Sequence, residues 1–395
     1  MPTLRVDHSP AALPPEAWNR LLAASPRPTP FMRHEYLLAL HESGSATADT
    51  GWQAMFLSLW DEDQLLAACP AWLKTHSYGE YVFDWAWADA YRRHGLAYYP
   101  KLLVAVPFTP VPGSRLLAAD DEARALLAQA LRALAKETET SSLHVLFGDE
   151  ADQVALAEAG CMARAGVQFH WTAEGDADFA DFLARLQRDK RKKIQQEQRR
   201  VREAGVVFEA RHGRDIAADD WDYFYRCYQQ TYREHHSTPY LSRDFFARMA
   251  SDMPEHWLMF TAMRGAERVA TSLIALDPER RAAFGRYWGA TEHIPHLHFD
   301  ACYYQPLAWC IANGYTRFEG GAQGEHKMAR GLMPTPTASS HWLAHPAFAD
   351  AVNEFLTREG DAIAGYVNAL GEHTPFKIAQ AGAHKAKDAA DAASS

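Results

Sequence analysis

Arg317-Phe318-Glu319-Gly320-Gly321-Ala322-Gln323-Gly324-Glu325-His326-Lys327-Met328-Ala329-Arg330-Gly331 reads as the end of a strand, a glycine-rich loop and a run able to start a helix. Glycines accept positive φ and let other groups approach the backbone, so such a loop can fold around an oxygen-rich ligand. A plain strand-to-helix turn accounts for Gly320 and Gly321. It does not account for Gln323, Glu325, His326, Lys327 and Arg330 gathered behind them. The stretch is therefore the leading candidate for a ligand site, with the structural turn as its alternative.

Reading outward, residues 283–289 form the preceding strand, followed by a histidine-rich loop and a helix that starts or kinks near Pro306. Upstream, 257–263 and 268–276 read as a hairpin, 221–232 and 243–253 as helices, and 206–210 as a strand. Phe179, Phe182, Leu183 and Leu186 begin one long helix that Gly205 ends. The first half shows the same order. Helices at 17–23 and 33–41 precede strands at 52–59, 65–74, 82–87 and 101–106, then a helix at 121–138 and a strand at 143–147. The two halves divide near residue 165 into units of 1–165 and 166–380, with a frayed Ala/Lys-rich tail at 381–395.

Composition bounds the reading. A chain of 395 residues with 48% hydrophobic and 12% aromatic content is globular and long enough for two domains. A net charge of −10 excludes general coating of nucleic acid but leaves room for a local basic patch. The five cysteines are odd in number, scattered and without a Cys-x-x-Cys pair, which argues against a disulfide framework or zinc ribbon. No leader pattern and no apolar run of membrane-spanning length is visible, so a cytoplasmic location is expected.

The order of helices, strand meander, helix and strand resembles a GNAT acyltransferase domain. Two such halves resemble the Fem-type, FemAB-like family of aminoacyl transferases, in a bacterial branch named for peptidoglycan biosynthesis or recognition. The resemblance rests on Phe182-Leu183, Asp189-Lys190-Arg191-Lys192-Lys193-Ile194 and Gly205-Val206, on Tyr287-Trp288-Gly289-Ala290, and on Arg317-Phe318-Glu319-Gly320-Gly321 with the run behind it. It implies an α/β (α+β) fold of two tandem GNAT-like domains with mixed central sheets flanked by helices. Two features depart from the pattern. Simple acetyl-CoA enzymes carry a glycine-rich pyrophosphate loop where this chain reads Thr291-Glu292-His293-Ile294-Pro295-His296-Leu297-His298. The charged helical hairpin that some Fem enzymes insert is also absent.

Other segments carry chemistry. Lys190, Arg191, Lys192 and Lys193 lead a basic helix in an acidic chain, which suits a polyanion such as a tRNA backbone; a solvated helix face is the alternative. His293, His296, His298 and Asp300 match no common zinc spacing and Pro295 interrupts them, so no metal is expected. His298 is a candidate proton acceptor in a cleft loop, with Trp288 and Tyr303 nearby, and His235-His236 reads as a surface pair. Trp85 and Trp87, with Tyr98, Tyr99, Lys101 and Arg115 in the same neighbourhood, offer stacking faces beside cations; an aromatic inter-domain interface is the alternative.

N-acyl transfer needs a deprotonated amine, a held carbonyl and donors for the oxyanion. In the fold that the resemblance implies, Glu319 is the expected base and His326 the alternative. Gly320, Gly321, Gln323 and Gly324 are expected to supply backbone donors, and Lys327 and Arg330 to hold a phosphate or carboxylate. The co-substrate is then aminoacyl-tRNA or acyl-CoA, and the acceptor carries an amino group, as a peptidoglycan precursor does. Three readings stay open: an aminoacyl- or N-acyltransferase, an acyl-CoA-dependent GNAT enzyme acting on a small molecule or peptide, and a non-catalytic binder of peptidoglycan precursors.

Overall fold

A computed structural model describes residues 2–321 and 324–377. Ala322 and Gln323, and the tail expected to fray, lie outside the described residues. The first half holds β1 (Thr3–Asp7), α1 (Pro15–Ala24), α2 (His34–Glu42), β2 (Trp52–Ala54), β3 (Phe56–Asp61), β4 (Gln64–Cys69) and β5 (Ala71–Lys74). It continues with α3 (Trp85–Arg93), β6 (Lys101–Val104), β7 (Leu117–Ala118), α4 (Asp121–Glu137), β8 (Ser142–Leu146) and α5 (Glu150–Glu158).

The long strand β9 (Met162–Thr172) leads into α6 (Phe179–Arg185), α7 (Arg188–Glu203), β10 (Val206–His212), α8 (Ala218–Glu234) and α9 (Arg243–Asp252). Then come β11 (Trp257–Arg264), β12 (Glu267–Asp277) and β13 (Ala282–Ala290). A helical stretch follows, made of α10 (Leu297–Phe299), a π-helical turn (Asp300–Tyr304) and α11 (Gln305–Ala312). The described elements close with β14 (Arg317–Glu319), a 3₁₀ segment (Glu325–Arg330), β15 (Met333–Leu343) and α12 (Pro346–Glu372).

Eleven strands make one sheet in the order β10-β11-β12-β13-β14-β9-β15-β8-β6-β5-β2, and β1-β3-β4-β7 make a second. Only Met55 separates β2 from β3, and only Pro70 separates β4 from β5. Proline has no N–H to give a ladder, so this hairpin breaks there and passes from the large sheet to the small one.

The repeat is written in the pairing. β6 runs parallel to β8 over Leu102–Val104 and Leu143–Val145, bridged by α4. β13 runs parallel to β14 over Ala282–Phe284 and Arg317–Glu319, bridged by the helix that holds the π turn. Every other pair is antiparallel. These are the two tandem GNAT-like units of a mixed α/β fold. The 165/166 position falls inside β9, which pairs with both β14 and β15, while β15 pairs also with β8. The halves share a core as well. Phe31 packs edge-on against Phe284 at 5.2 Å between ring centroids, and Tyr36 against Phe245 at 5.4 Å.

Two sequence expectations change. Residues 82–87 are not a strand: helix α3 starts at Trp85 and buries Trp87 and Tyr91, one turn apart, against Leu343, Val352 and Leu356. The helix expected from Phe179 to Gly205 is two. Leu186 is extended (ψ 151°) and bridges to Phe376, while the Gln187 amide donates to the Pro375 carbonyl at 2.8 Å. The returning C-terminal segment takes the backbone groups that a continuous helix would use.

Candidate active site

β13 and β14 pair over three residues and then part: Gly285–Ala290 keep β12 on one edge, while the chain leaves the sheet after Glu319. Gly285 sits at the fork, where a Cβ would meet the Phe318 ring at 3.3 Å and the Glu319 carbonyl at 3.4 Å. The equivalent opening of the first half is filled. Buried Arg115 donates from Nε to the Leu146 carbonyl (3.0 Å) and from a terminal nitrogen to the Gly113 carbonyl (3.1 Å), and the Gly113 amide donates to the Phe147 carbonyl (2.9 Å).

The fork divides the expected site residues between the two faces of the sheet. Phe318 packs with Tyr303 in one core, so strand alternation sends Glu319 to the other face. There Glu319 is 2% exposed, with Arg317 at 3.3 Å, Arg27 of the first half at 3.5 Å and His170 at 3.7 Å. Its Oε2 has no hydrogen-bond partner. This carboxylate ties the halves together.

On the Phe318 face a second group converges. The His298 ring lies 5.4 Å from Trp288 and 6.0 Å from Tyr303, and the His326 ring lies 6.2 Å from Tyr303 and 6.1 Å from Phe299. The Lys327 ammonium donates to the Gly321 carbonyl at 3.0 Å, closing the glycine loop on itself. Gly324 (φ 114°) permits this path, and a Cβ there would strike the His326 ring at 2.4 Å. A Cβ on Gly320 would meet Leu332 at 2.5 Å and Tyr303 at 3.4 Å, so the loop base packs tightly on the π turn. Such turns leave backbone groups outside the regular ladder and recur at functional sites.

Electrostatics favour neutral groups here. Loss of water lowers His298 to about 4, aided by His326, Arg330 and Lys327. Burial lowers Lys327 to about 8, and burial with the neighbouring Arg330 and Lys327 lowers His326. Burial raises the Tyr303 phenol. At neutral pH His298 is thus an uncharged imidazole with a lone pair to offer.

Beside it opens a cavity of about 400 Å³, walled by the end of α8 (Thr231, Glu234, His235), by Trp288 and by the 290–299 loop. Its described lining contains Glu234, Glu292 and four histidines but neither lysine nor arginine. Arg264 forks onto Glu292 with two bonds of 2.6 Å. Among the described residues no group of three or more His, Cys, Asp or Glu is placed to hold a metal ion.

Arg330 is held rather than free. Its guanidinium lies 3.6 Å from the centroid of Phe299 and 3.3 Å from Glu197, and it donates to the His326 carbonyl at 2.8 Å. Glu197 also accepts from Tyr304. Glu197 sits on α7, the basic helix, whose inward face is Ile194, Glu197 and Val201. Lys192 and Lys193 are solvent-exposed, Lys190 pairs with Asp189 at 2.9 Å, and Arg191 reaches the Ala184 carbonyl at 3.4 Å. Sequence reasoning missed Glu197, although an acid at the third position of an Ile194–Val201 apolar stripe is a legible signal.

The aromatic segment of the first half is partly an interior. Trp87 is buried against His144 and His341, and Trp85 is exposed. Lys101 is fully buried, and its three donors go to Ser77 (2.8 Å), Glu80 (2.7 Å) and Asp84. No donor of Lys101 remains for a ligand, which corrects the expectation that it binds one.

Repeated parallel strand pairs, each bridged by a helix within a mixed sheet, with one fork open and one filled, define a tandem GNAT-like acyltransferase fold. The chain belongs to the FemAB-like family, described as peptidoglycan biosynthesis/recognition, whose model matches residues 9–378. Its fold is similar to that of FemX (TM-score 0.53, 10% identity, 86% of this chain and 98% of that one). It is likewise similar to L-PGS from Bacillus licheniformis (TM-score 0.52, 11% identity, 88% and 96%). A tandem GNAT protein from the clavulanic acid biosynthesis pathway aligns with 12% identity over 88% of this chain and 99% of its own, at a TM-score of 0.43. Comparison with curated proteins gave no match. No helix of the described residues is long and apolar enough to cross a membrane.

Proposed function

We propose that the chain transfers an aminoacyl or acyl group to an amino-group acceptor, with the chemistry in the open fork of the second half. The observation that carries this reading is the convergence of His298, Tyr303, His326 and Lys327 on one side of the fork, with His298 also lining the 400 Å³ cavity. His326, which shares the Tyr303 ring with His298, takes the proton from the attacking amine. Backbone amides of Gly321 and Gly324 are the donors for the developing oxyanion. Lys327 holds a carboxylate or phosphate of one substrate, and Arg330 fixes the wall through Phe299 and Glu197. Glu319, between two arginines on the opposite face, positions the fork and takes no proton.

The cavity lining favours an aminoacyl donor over acyl-CoA. A pyrophosphate wants cations or a glycine-rich amide cradle, and the wall offers Glu234, imidazoles and a Glu292 already held by Arg264. Glu234 suits the α-ammonium of an aminoacyl group instead. The exposed row on α7 would then meet the donor's phosphate backbone. A filled fork gives the first half a binding rather than a chemical role, on a peptidoglycan precursor or a similar amine.

Retention of aminoacylated tRNA, deacylated tRNA and acetyl-CoA at two salt concentrations tests the donor. Salt-sensitive preference for the charged tRNA is expected. Retention of acetyl-CoA alone would overturn that choice. With the donor in hand, His326→Ala should lower transfer at least tenfold, and wild-type turnover in that variant removes His326 as the base.

A further inference from the structure

Tyr78, Tyr81, Phe83 and Trp85 are 58%, 38%, 54% and 42% exposed, yet all four lie within eight residues. Soluble surfaces rarely spend so much aromatic area on one loop without a partner for it. Their polar neighbours point the other way: Ser77, Glu80 and Asp84 are buried on the Lys101 ammonium, which spends all its donors on them. Arg164 adds a bond to the Phe83 carbonyl at 2.8 Å. Tyr81 is held at φ 61°, a left-handed conformation costly for a bulky residue and tolerated where its surroundings enforce it. The loop is stapled from beneath with its rings outward.

The rings wall three neighbouring cavities. A cavity of about 340 Å³ is walled by Tyr78, Tyr81, Phe83, Trp85 and Tyr240. It shares Tyr78 and Tyr240 with a neighbour of about 440 Å³, and Tyr81 and Phe83 with another of about 230 Å³. Phe108 stacks flat on Tyr240 at 4.7 Å. The polar lining of the largest cavity is Ser45, Thr50, His76, His236, Ser237 and Thr238. Among the described residues that line the three, the only charged side chains are Arg164 and Glu359, which neutralise one another through two bonds of 2.8 and 2.9 Å.

We propose that residues 77–85 form a rigid aromatic platform, stapled by Lys101, that binds an uncharged saccharide ring. Aromatic faces take the C–H face of a sugar, and neutral hydroxyl and imidazole edges take its hydroxyls. A lining without a free cation has nothing to hold a phosphate, which argues against a nucleotide. The flat faces sit in a concavity, which suits a ring better than a lipid surface. That this ring belongs to the acceptor rests on the transferase reading above; the platform itself does not.

Saturation-transfer NMR with N,N′-diacetylchitobiose on the full chain tests the platform, with UMP and anionic phosphatidylglycerol vesicles as comparison ligands. Transfer to protons on one sugar face is expected, weakened about tenfold in Tyr78→Ala and in Trp85→Ala, whose exposed side chains the fold does not need. Lys101→Met should weaken it similarly, and if that variant does not fold the other two carry the test. No transfer in the wild type at tens of millimolar disaccharide would overturn the proposal. So would signals unchanged in both aromatic variants, tighter binding of UMP, or vesicle binding that needs Trp85 and that the disaccharide does not compete with. Saccharide binding without any acyl or aminoacyl transfer would sink the transferase reading and keep the platform. Transfer without saccharide binding would do the reverse.

Discussion

Glu197→Gln is the sharpest probe of the site's frame. Glu197 and Arg330 are 4% and 3% exposed, and their charges approach to 3.3 Å. At an effective dielectric of about 20 that separation is worth about 5 kcal/mol of attraction, set against the cost of keeping both ions from water. Removing one partner strands the other, a change that costs about 3–5 kcal/mol in buried pairs. Arg330 keeps its bond to the His326 carbonyl and its contact with Phe299, worth about 1–2 kcal/mol in a desolvated setting. Tyr304 keeps an acceptor in the amide but loses a charged one, roughly 1 kcal/mol. The loss should therefore be about 3 kcal/mol. Urea unfolding followed by tryptophan fluorescence and far-UV circular dichroism reads it, provided the two transitions coincide. Adding Arg330→Met should restore much of the loss, because no stranded cation then remains. A loss below about 1 kcal/mol, or a double variant no better than the single, would refute the buried pair as the frame of this wall.

Three further outcomes follow from named contacts. Gly289→Ala would place a Cβ 2.3 Å from the Cys227 carbonyl of α8; it should cost about 1–3 kcal/mol in the same urea experiment, and a neutral result would mean that α8 and β13 are not packed so closely. His144 and His341 share a 2.7 Å bond in the core, and burial lowers His144 to about 3 and His341 well below its usual value. Because the folded values lie below the unfolded value near 6.5, these residues' contribution is intact above pH 6.5 and lost progressively on acidification toward pH 3. A His144→Asn/His341→Asn variant should show a shallower fall of melting temperature over that window than wild type, and parallel curves would count against it. Finally, Lys192→Glu with Lys193→Glu should weaken tRNA retention and lower the slope of log affinity against log salt by about 1–2; an unchanged slope would return α7 to a solvated face.

Much of this was legible where residue chemistry and strand order agree. The order of elements gave both halves of the fold, and the glycine loop with His326, Lys327 and Arg330 lies at the open fork. The central strands were not legible. β15 contains Pro334 and Pro336 among small and polar residues, and β9 mixes Arg164 and Gly166 with aromatics. Neither alternates cleanly, because each is an interior strand that draws its partners from distant segments by tertiary contact rather than from local propensity. The two prolines are tolerated because β15 gains its second neighbour, β8, only from Ser339 onward. Glu319 shows the complementary failure. Its place after a strand suggested a base, but which face a strand residue points to depends on packing, and here it points to Arg27 and His170. Lys101 failed likewise, since sequence cannot tell an ammonium in a cleft from one consumed by Ser77, Glu80 and Asp84.

The seam between the halves, where β15 pairs with β8, runs for five positions, from Ser339 with Leu146 to Leu343 with Ser142. A protein whose lobes meet at a linker can open like a jaw, but here the jaw is welded. Swinging the halves apart would tear main-chain bonds along the whole weld, so admission of large substrates falls to local parts, such as the 235–240 and 291–296 loops that border the cavities. Amides along the weld should be the last to exchange with deuterium, and ligands should alter protection in those loops without loosening it.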